Sequence, residues 1–186
     1  MKSALLCFST SALLLATATF GQQEIFIPAN DVSFTISTDR STYRAGEQIF
    51  LKYEIANISN ASVYVPREWD AQCPATPHIW AWFENSSGKH FIPGYGGSCS
   101  GSPQTLTARM QKEAVLLKPG QRLEGTLSMD TTLFGGLKTG AYRLEATLTG
   151  YRESDFGPAQ QAELAKMSAA FIRGEVPAST RITLTP

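Results

Sequence analysis

The stretch Ile49-Phe50-Leu51-Lys52-Tyr53-Glu54-Ile55 decides the class of fold. Ile49, Leu51, Tyr53 and Ile55 recur at every second residue, with Lys52 and Glu54 between them. A β-strand turns successive side chains to opposite faces, so this period predicts a long strand with one apolar and one wet face. A helix would scatter the same residues around its circumference. The period returns on both sides of the stretch: Val32, Phe34 and Ile36 precede it, and Val63 with Val65, then Val115 with Leu117, follow. Further runs are Leu123, Leu127 and Met129, then Tyr142, Leu144, Ala146 and Leu148, and finally Ile182 with Leu184. Gly, Pro, Asn and Ser separate the runs, as turns require.

Residues 78–84, the turn Asn85-Ser86-Ser87-Gly88 and residues 89–93 predict a hairpin with Glu84 opposite Lys89 and His90 opposite Phe83. One segment breaks the strand pattern. Gly157-Pro158 leads into Leu164, Met167 and Phe171 at helical spacing, which predicts a short amphipathic helix over about 158–172, stopped by Gly174 and Pro177. With no βαβ alternation, the expected fold is all-β: an antiparallel two-sheet sandwich with one helical insertion before the last strand. Leu117-Lys118-Pro119-Gly120 and Leu137-Lys138-Thr139-Gly140 echo each other, each ahead of a strand, and read as one turn solution used twice.

The chain has 186 residues, 42% of them apolar and 17% charged, with 16 basic against 16 acidic side chains. That suits one folded domain and excludes a disordered chain. Zero net charge with no basic cluster argues against nucleic-acid binding. Lys2, the apolar run over 4–15 and the small residues of Ala16-Thr17-Ala18 and Thr19-Phe20-Gly21 read as a secretory signal peptide over 1–21, cleaved before Gln22. The apolar run falls short of the roughly 20 residues that span a bilayer as a helix. The expectation is a mature domain over 22–186, exported to the periplasm or medium, with no membrane span. Cys7 lies inside the leader, leaving Cys73 and Cys99 in an oxidising compartment, where a disulfide is the default. Closing that loop stabilises by roughly 3–4 kcal/mol on the chain-entropy model.

Leu137-Lys138-Thr139-Gly140-Ala141-Tyr142-Arg143-Leu144 resembles the Gly-x-Tyr approach to the penultimate strand of immunoglobulin-like domains. The resemblance gives Tyr142 the role of a tyrosine corner, its hydroxyl bonding back to the backbone. The antibody-type inter-sheet disulfide has no counterpart, because Leu144 stands where its second cysteine would be. The order Ser41-Thr42-Tyr43-Arg44-Ala45-Gly46-Glu47, a long strand ending near Asn57, then Leu117-Lys118-Pro119-Gly120 before a later strand, is similar to secreted bacterial immunoglobulin-like domains. It is also loosely similar to the N-terminal β-sandwich of deuterolysin-type metalloendopeptidases. The peptidase half of that family has no counterpart, since no His-Glu-x-x-His occurs. Such a resemblance implies a fold and leaves function to the site.

Candidate chemistry is sparse. His78 and His90, the only histidines, are expected far apart along the hairpin and assigned ordinary hydrogen bonds rather than a metal. Gly97-Ser98-Cys99-Ser100-Gly101 resembles a nucleophile elbow but is flanked by loop on both sides, so Cys99 goes to the disulfide. Glu68, Trp69 and Asp70 read as a solvated loop, and no dense acidic cluster builds a cation site. Asn57-Ile58-Ser59, Asn60-Ala61-Ser62 and Asn85-Ser86-Ser87 fit the N-glycosylation pattern. Trp80 and Trp82 share one face of a strand whose other face carries Ile79, Ala81 and Phe83; either row fills the core. The expected function is that of a non-enzymatic binding domain without cofactor or metal, for a protein or glycan partner. Its contact region is Trp80, Trp82, Phe91 and Tyr95, where rigid aromatics give contact area at low entropy cost. The alternative is a secreted peptidase inhibitor or propeptide-like domain presenting the stretch between Cys73 and Cys99. A hydrolase using Cys99 would instead need a free thiol.

Overall fold

The computed structural model describes residues 25–66, 78–94, 114–164 and 166–186. Residues 1–21, expected as a leader, and Glu68, Trp69, Asp70, Cys73, Cys99 and Tyr95 lie outside the described residues. The fold is all-β, in three sheets. β2 (Val32–Thr38), β4 (Gln48–Asn57) and β9 (Arg122–Asp130) form one, in the order β2-β4-β9. β3 (Thr42–Arg44), β12 (Glu175–Thr185), β10 (Gly140–Thr149), β6 (Ile79–Asn85) and β7 (His90–Phe91) form a second, in that order. The third runs β1 (Phe26–Pro28), β11 (Ala170–Arg173), β5 (Val63–Pro66) and β8 (Ala114–Leu117).

The period-two rows make the core. Phe34, Ile49, Leu51 and Ile55 from the three-stranded sheet share one buried cluster with Phe83, Leu144, Leu148 and Ile182 from the five-stranded sheet. Val63, Val65, Leu117 and Ile172 bring the third sheet into it. A second cluster, Tyr151, Phe156, Leu164 and Phe171, lies under the only α-helix among the described residues, α1 (Pro158–Leu164).

Three sequence expectations are corrected. The sheets are not antiparallel throughout: β1 with β11, β11 with β5, and β12 with β3 pair in parallel. The helix ends at Leu164 rather than near 172, and Phe171 lies in strand β11. There its ring stacks on Tyr64 at 5.2 Å and sits 5.9 Å from Phe26, so a wholly buried sheet position outweighs a local helical period. Pro177 accordingly lies inside β12, opposite Thr147, and terminates nothing. The hairpin register is also shifted by one: Glu84 faces His90, and Phe83 faces Phe91. Asn85 N–H donates to the Lys89 carbonyl, and its side-chain oxygen accepts from Ser87 and Lys89 N–H, closing a loop of Ser86, Ser87 and Gly88. Gly88, at φ +77°, supplies the left-handed residue such a three-residue loop demands.

Two side chains latch the loops. The Tyr142 hydroxyl donates to the Lys138 carbonyl at 3.0 Å and accepts from the Lys138 N–H at 3.1 Å. Tyr142→Phe is expected to cost about 1 kcal/mol, measured by urea denaturation, because the Lys138 N–H and carbonyl lose their shared, part-buried partner. Asn57 is wholly buried. Its amide donates to the carbonyls of Ala61 at 2.7 Å and Leu117 at 2.9 Å, and its side-chain oxygen accepts from Ser59 N–H and hydroxyl. With both amide hydrogens engaged, the folded chain does not present Asn57 as a glycan acceptor.

Candidate binding cleft on the outer sheet face

Ile79 and Phe83 are buried in the core, so alternation drives Trp80, Trp82 and Glu84 to the outside of β6. The five-stranded sheet then aligns three outer rows across its strands. Trp80 lies beside Thr147 and Pro177, Trp82 beside Glu145 and Ser179, and Glu84 beside Arg143 and Arg181. The chain leaving β10 builds a wall at one end. Gly150 N–H donates to the Gly174 carbonyl and Tyr151 N–H to the Ile172 carbonyl, burying the Tyr151 ring. Arg152 N–H donates to the Asp155 carboxylate at 2.7 Å, folding residues 152–155 into a single tight turn. The result is a cleft of about 660 Å³ floored by Trp80, Trp82 and Thr147. Arg152, Asp155, Glu175, His90 and Ile92 also line it, Glu175 from β12 and His90 from β7 on opposite sides of β10 and β6.

The structure places the sequence candidates differently from one another. Trp80, 38% exposed, and the half-buried Trp82 line the cleft. Phe91 does not: the corrected register turns it to the core face, 6% exposed and edge-on to Tyr142 at 5.8 Å. A one-residue shift moves a side chain to the other face of a strand, and it is Ile92, 63% exposed, that reaches the cleft. His78 and His90, expected far apart, both border the same cleft. His78 Nδ1 lies 2.9 Å from the Thr149 carbonyl and therefore carries the proton. His90 Nε2 lies 3.6 Å from Glu84, with its ring 6.2 Å from that of Trp82. Among the described residues no group of three or more His, Cys, Asp or Glu gathers to hold a metal. Arg152, Asp155 and Glu175 were not legible as site residues, because they come from strand ends far from Trp80 in sequence.

The Trp82 indole nitrogen is buried at the cleft and has no hydrogen-bond partner among the described residues. Glu84 is bound by Arg143 at 2.6 Å, and Arg143 in turn by Glu145 at 2.7 Å. The hydrogen bond from Arg143, helped by the charges of Arg143 and His90, holds the Glu84 carboxyl below the usual carboxylate range. A carboxyl depressed on folding stabilises above its unfolded value, and that contribution is lost as pH falls through the folded one. Glu84→Gln is expected to flatten the acid limb of stability below about pH 4.3. Thermal melts across that range check it; an acid limb identical to that of the unaltered protein would contradict the pairing.

No family model matches the chain. No curated protein matches it either. Solved structures are similar at low identity. A β-glucosidase from Erythrobacter marinus aligns at 12% identity and a TM-score of 0.43, over 83% of this chain and 15% of its own. The CARDB domain of a Pyrococcus furiosus protein, solved with two metal ions, aligns at 11% identity and a TM-score of 0.41, over 83% and 88%. A sporulation control protein from Bacillus subtilis aligns at 8% and 0.43, over 84% and 50%. The chain thus spans a small part of the glucosidase and half of the sporulation protein.

Proposed function

We propose that this chain is an exported, non-enzymatic binding domain of immunoglobulin-like sandwich form, taking a protein or glycan partner on the outer face of the five-stranded sheet. The observation that carries the reading is the placement of Trp80 and Trp82. Their neighbours Ile79 and Phe83 fill the core, so two large aromatics line an open cleft that the core does not need. Aromatic residues in a cleft are the usual anchors of a binding surface. The immunoglobulin-like form is supported by the Tyr142 back-bond and by the packing of the three-stranded and five-stranded sheets, with the third sheet beside them, around one core. Export is supported by the leader pattern over 1–21. No helix among the described residues is long and apolar enough to cross a membrane.

Affinity capture with residues 22–186 as bait, from the source organism's own secreted and envelope material, tests this. A partner competed by free domain and lost from a Trp80→Ala bait is the expected result. A partner retained equally by Trp80→Ala would move the contact surface elsewhere. Substrate turnover abolished by His90→Ala would overturn the non-enzymatic reading.

A further inference from the structure

Among the described residues, β9 ends the three-stranded sheet, with β4 on one side and no strand on the other. The other edges are short or covered: β1, β3, β7 and β8 have at most four residues each, and β2 lies against β12. β9 runs for nine residues without proline or lysine, and its inward row of Leu123, Gly125, Leu127 and Met129 carries no charge. Native edges usually hold such devices, because unpaired backbone groups invite a further strand.

The direction of those groups follows from the β4 side, where the Gln121 carbonyl accepts from Asn57 N–H at 3.0 Å. Alternation then sends the N–H and C=O of Arg122, Glu124, Thr126 and Ser128 to the open side. Leu123 and Leu127 pack on the core yet stay half-buried at this edge.

β9 is complementary to itself. With a second copy antiparallel about a two-fold axis at Thr126, Thr126 faces its own counterpart, Glu124 faces Ser128 and Arg122 faces Asp130. On the inward row Leu123 meets Met129, and Leu127 meets Gly125, which has no side chain. Arg122 already holds Glu54 at 2.8 Å, and Asp130 accepts from Thr132 N–H at 2.9 Å, so both charges are oriented at the edge and keep further sites. Sliding the pair by two residues loses the match of Arg122 with Asp130, and by four sets Glu124 against Glu124.

We propose that β9 is a homodimer edge, at which a second copy of this chain adds antiparallel across Thr126 and joins two three-stranded sheets into one. The contact is isologous, so it closes at two copies. It uses the three-stranded sheet and leaves the cleft on the five-stranded sheet outside the interface.

Sedimentation equilibrium of the purified protein at about 1–300 μM tests this. A monomer–dimer equilibrium is expected. Thr126→Pro removes an N–H from the open side, where an edge strand tolerates proline; it is expected to keep its thermal transition and weaken the dimer about thirtyfold or more. Arg122→Glu sets like charges opposite each other at two symmetric points and is expected to weaken it about tenfold, and adding Asp130→Arg to that variant is expected to restore it. The charge exchange decides the matter even where Thr126→Pro does not fold. A monomer throughout the range would overturn the proposal, as would growth beyond two copies or a folded Thr126→Pro that still dimerises. A dimer that Arg122→Glu does not weaken, or that Asp130→Arg does not restore, would overturn it too.

Discussion

Gly150→Ala is expected to destabilise the protein by about 3 kcal/mol or more, lowering the thermal midpoint by roughly 6–12 °C in a chain of this size. The side chain missing at this position has nowhere to go. A Cβ there would fall on the Ile172 carbonyl oxygen, 2.8 Å from its carbonyl carbon and 3.2 Å from the Gly174 oxygen. All three are backbone atoms, held in place because Gly150 and Tyr151 donate to these same two carbonyls at 2.8 Å. No rotamer change relieves the clash, so β10 must separate from the β11–β12 connection. That movement would unseat Tyr151, Phe156 and Phe171 together. Gly135 is the control. No atom lies within 4 Å of a Cβ built there, and Gly135→Ala is expected to stay within about 0.5 kcal/mol of the unaltered protein. Paired urea denaturation of the two variants measures the difference; equal midpoints would refute the account.

Asn57→Asp is expected to cost about 3–5 kcal/mol at neutral pH, although it changes almost no volume. The existing oxygen keeps its bonds from Ser59, but the second atom turns from a double donor into an anionic acceptor facing the carbonyls of Ala61 and Leu117. Burial raises the folded pKa of such a carboxyl above its unfolded value. The variant is therefore least stable above the folded pKa. Its deficit relative to the unaltered protein is expected to shrink as pH falls through the folded pKa and to level off below about 4, where both states are protonated and the acid donates one bond. Urea midpoints of both proteins at neutral and acid pH check this. A deficit that does not narrow on acidification would mean that lost loop packing, not a misplaced charge, dominates.

The two turns that echo each other in sequence show how far local patterning reaches. Lys118-Pro119-Gly120 is held by Asn57, whose carbonyl accepts from Gly120 N–H, and by the Gln121 side chain, which accepts from Lys118 N–H. Lys138-Thr139-Gly140 is held by the Tyr142 hydroxyl. Similar residues lead into strands of two different sheets, and different side chains secure the two turns. The candidate cleft divides in the same way. The spacing of Trp80 and Trp82 put them on one face from sequence alone. Which face depended on the burial of Ile79 and Phe83, and that Phe91 leaves it depended on a loop closed by Asn85 and Gly88.

Period-two alternation was sufficient for the strands, for the inner rows from Phe34 to Leu184 and for an all-β chain, because burial on one face of a strand leaves a mark every second residue. Gly-Ala-Tyr was sufficient to point to the back-bond of Tyr142, because the hydroxyl reaches a carbonyl only four residues away. Parallel pairing of β1, β11 and β5, the end of α1 at Leu164 and the gathering of Arg152, Asp155 and Glu175 around Trp80 were decided by tertiary structure. Each depends on contacts between segments distant along the chain, whose energy comes from shared burial and hydrogen bonding rather than from any local preference of the residues involved.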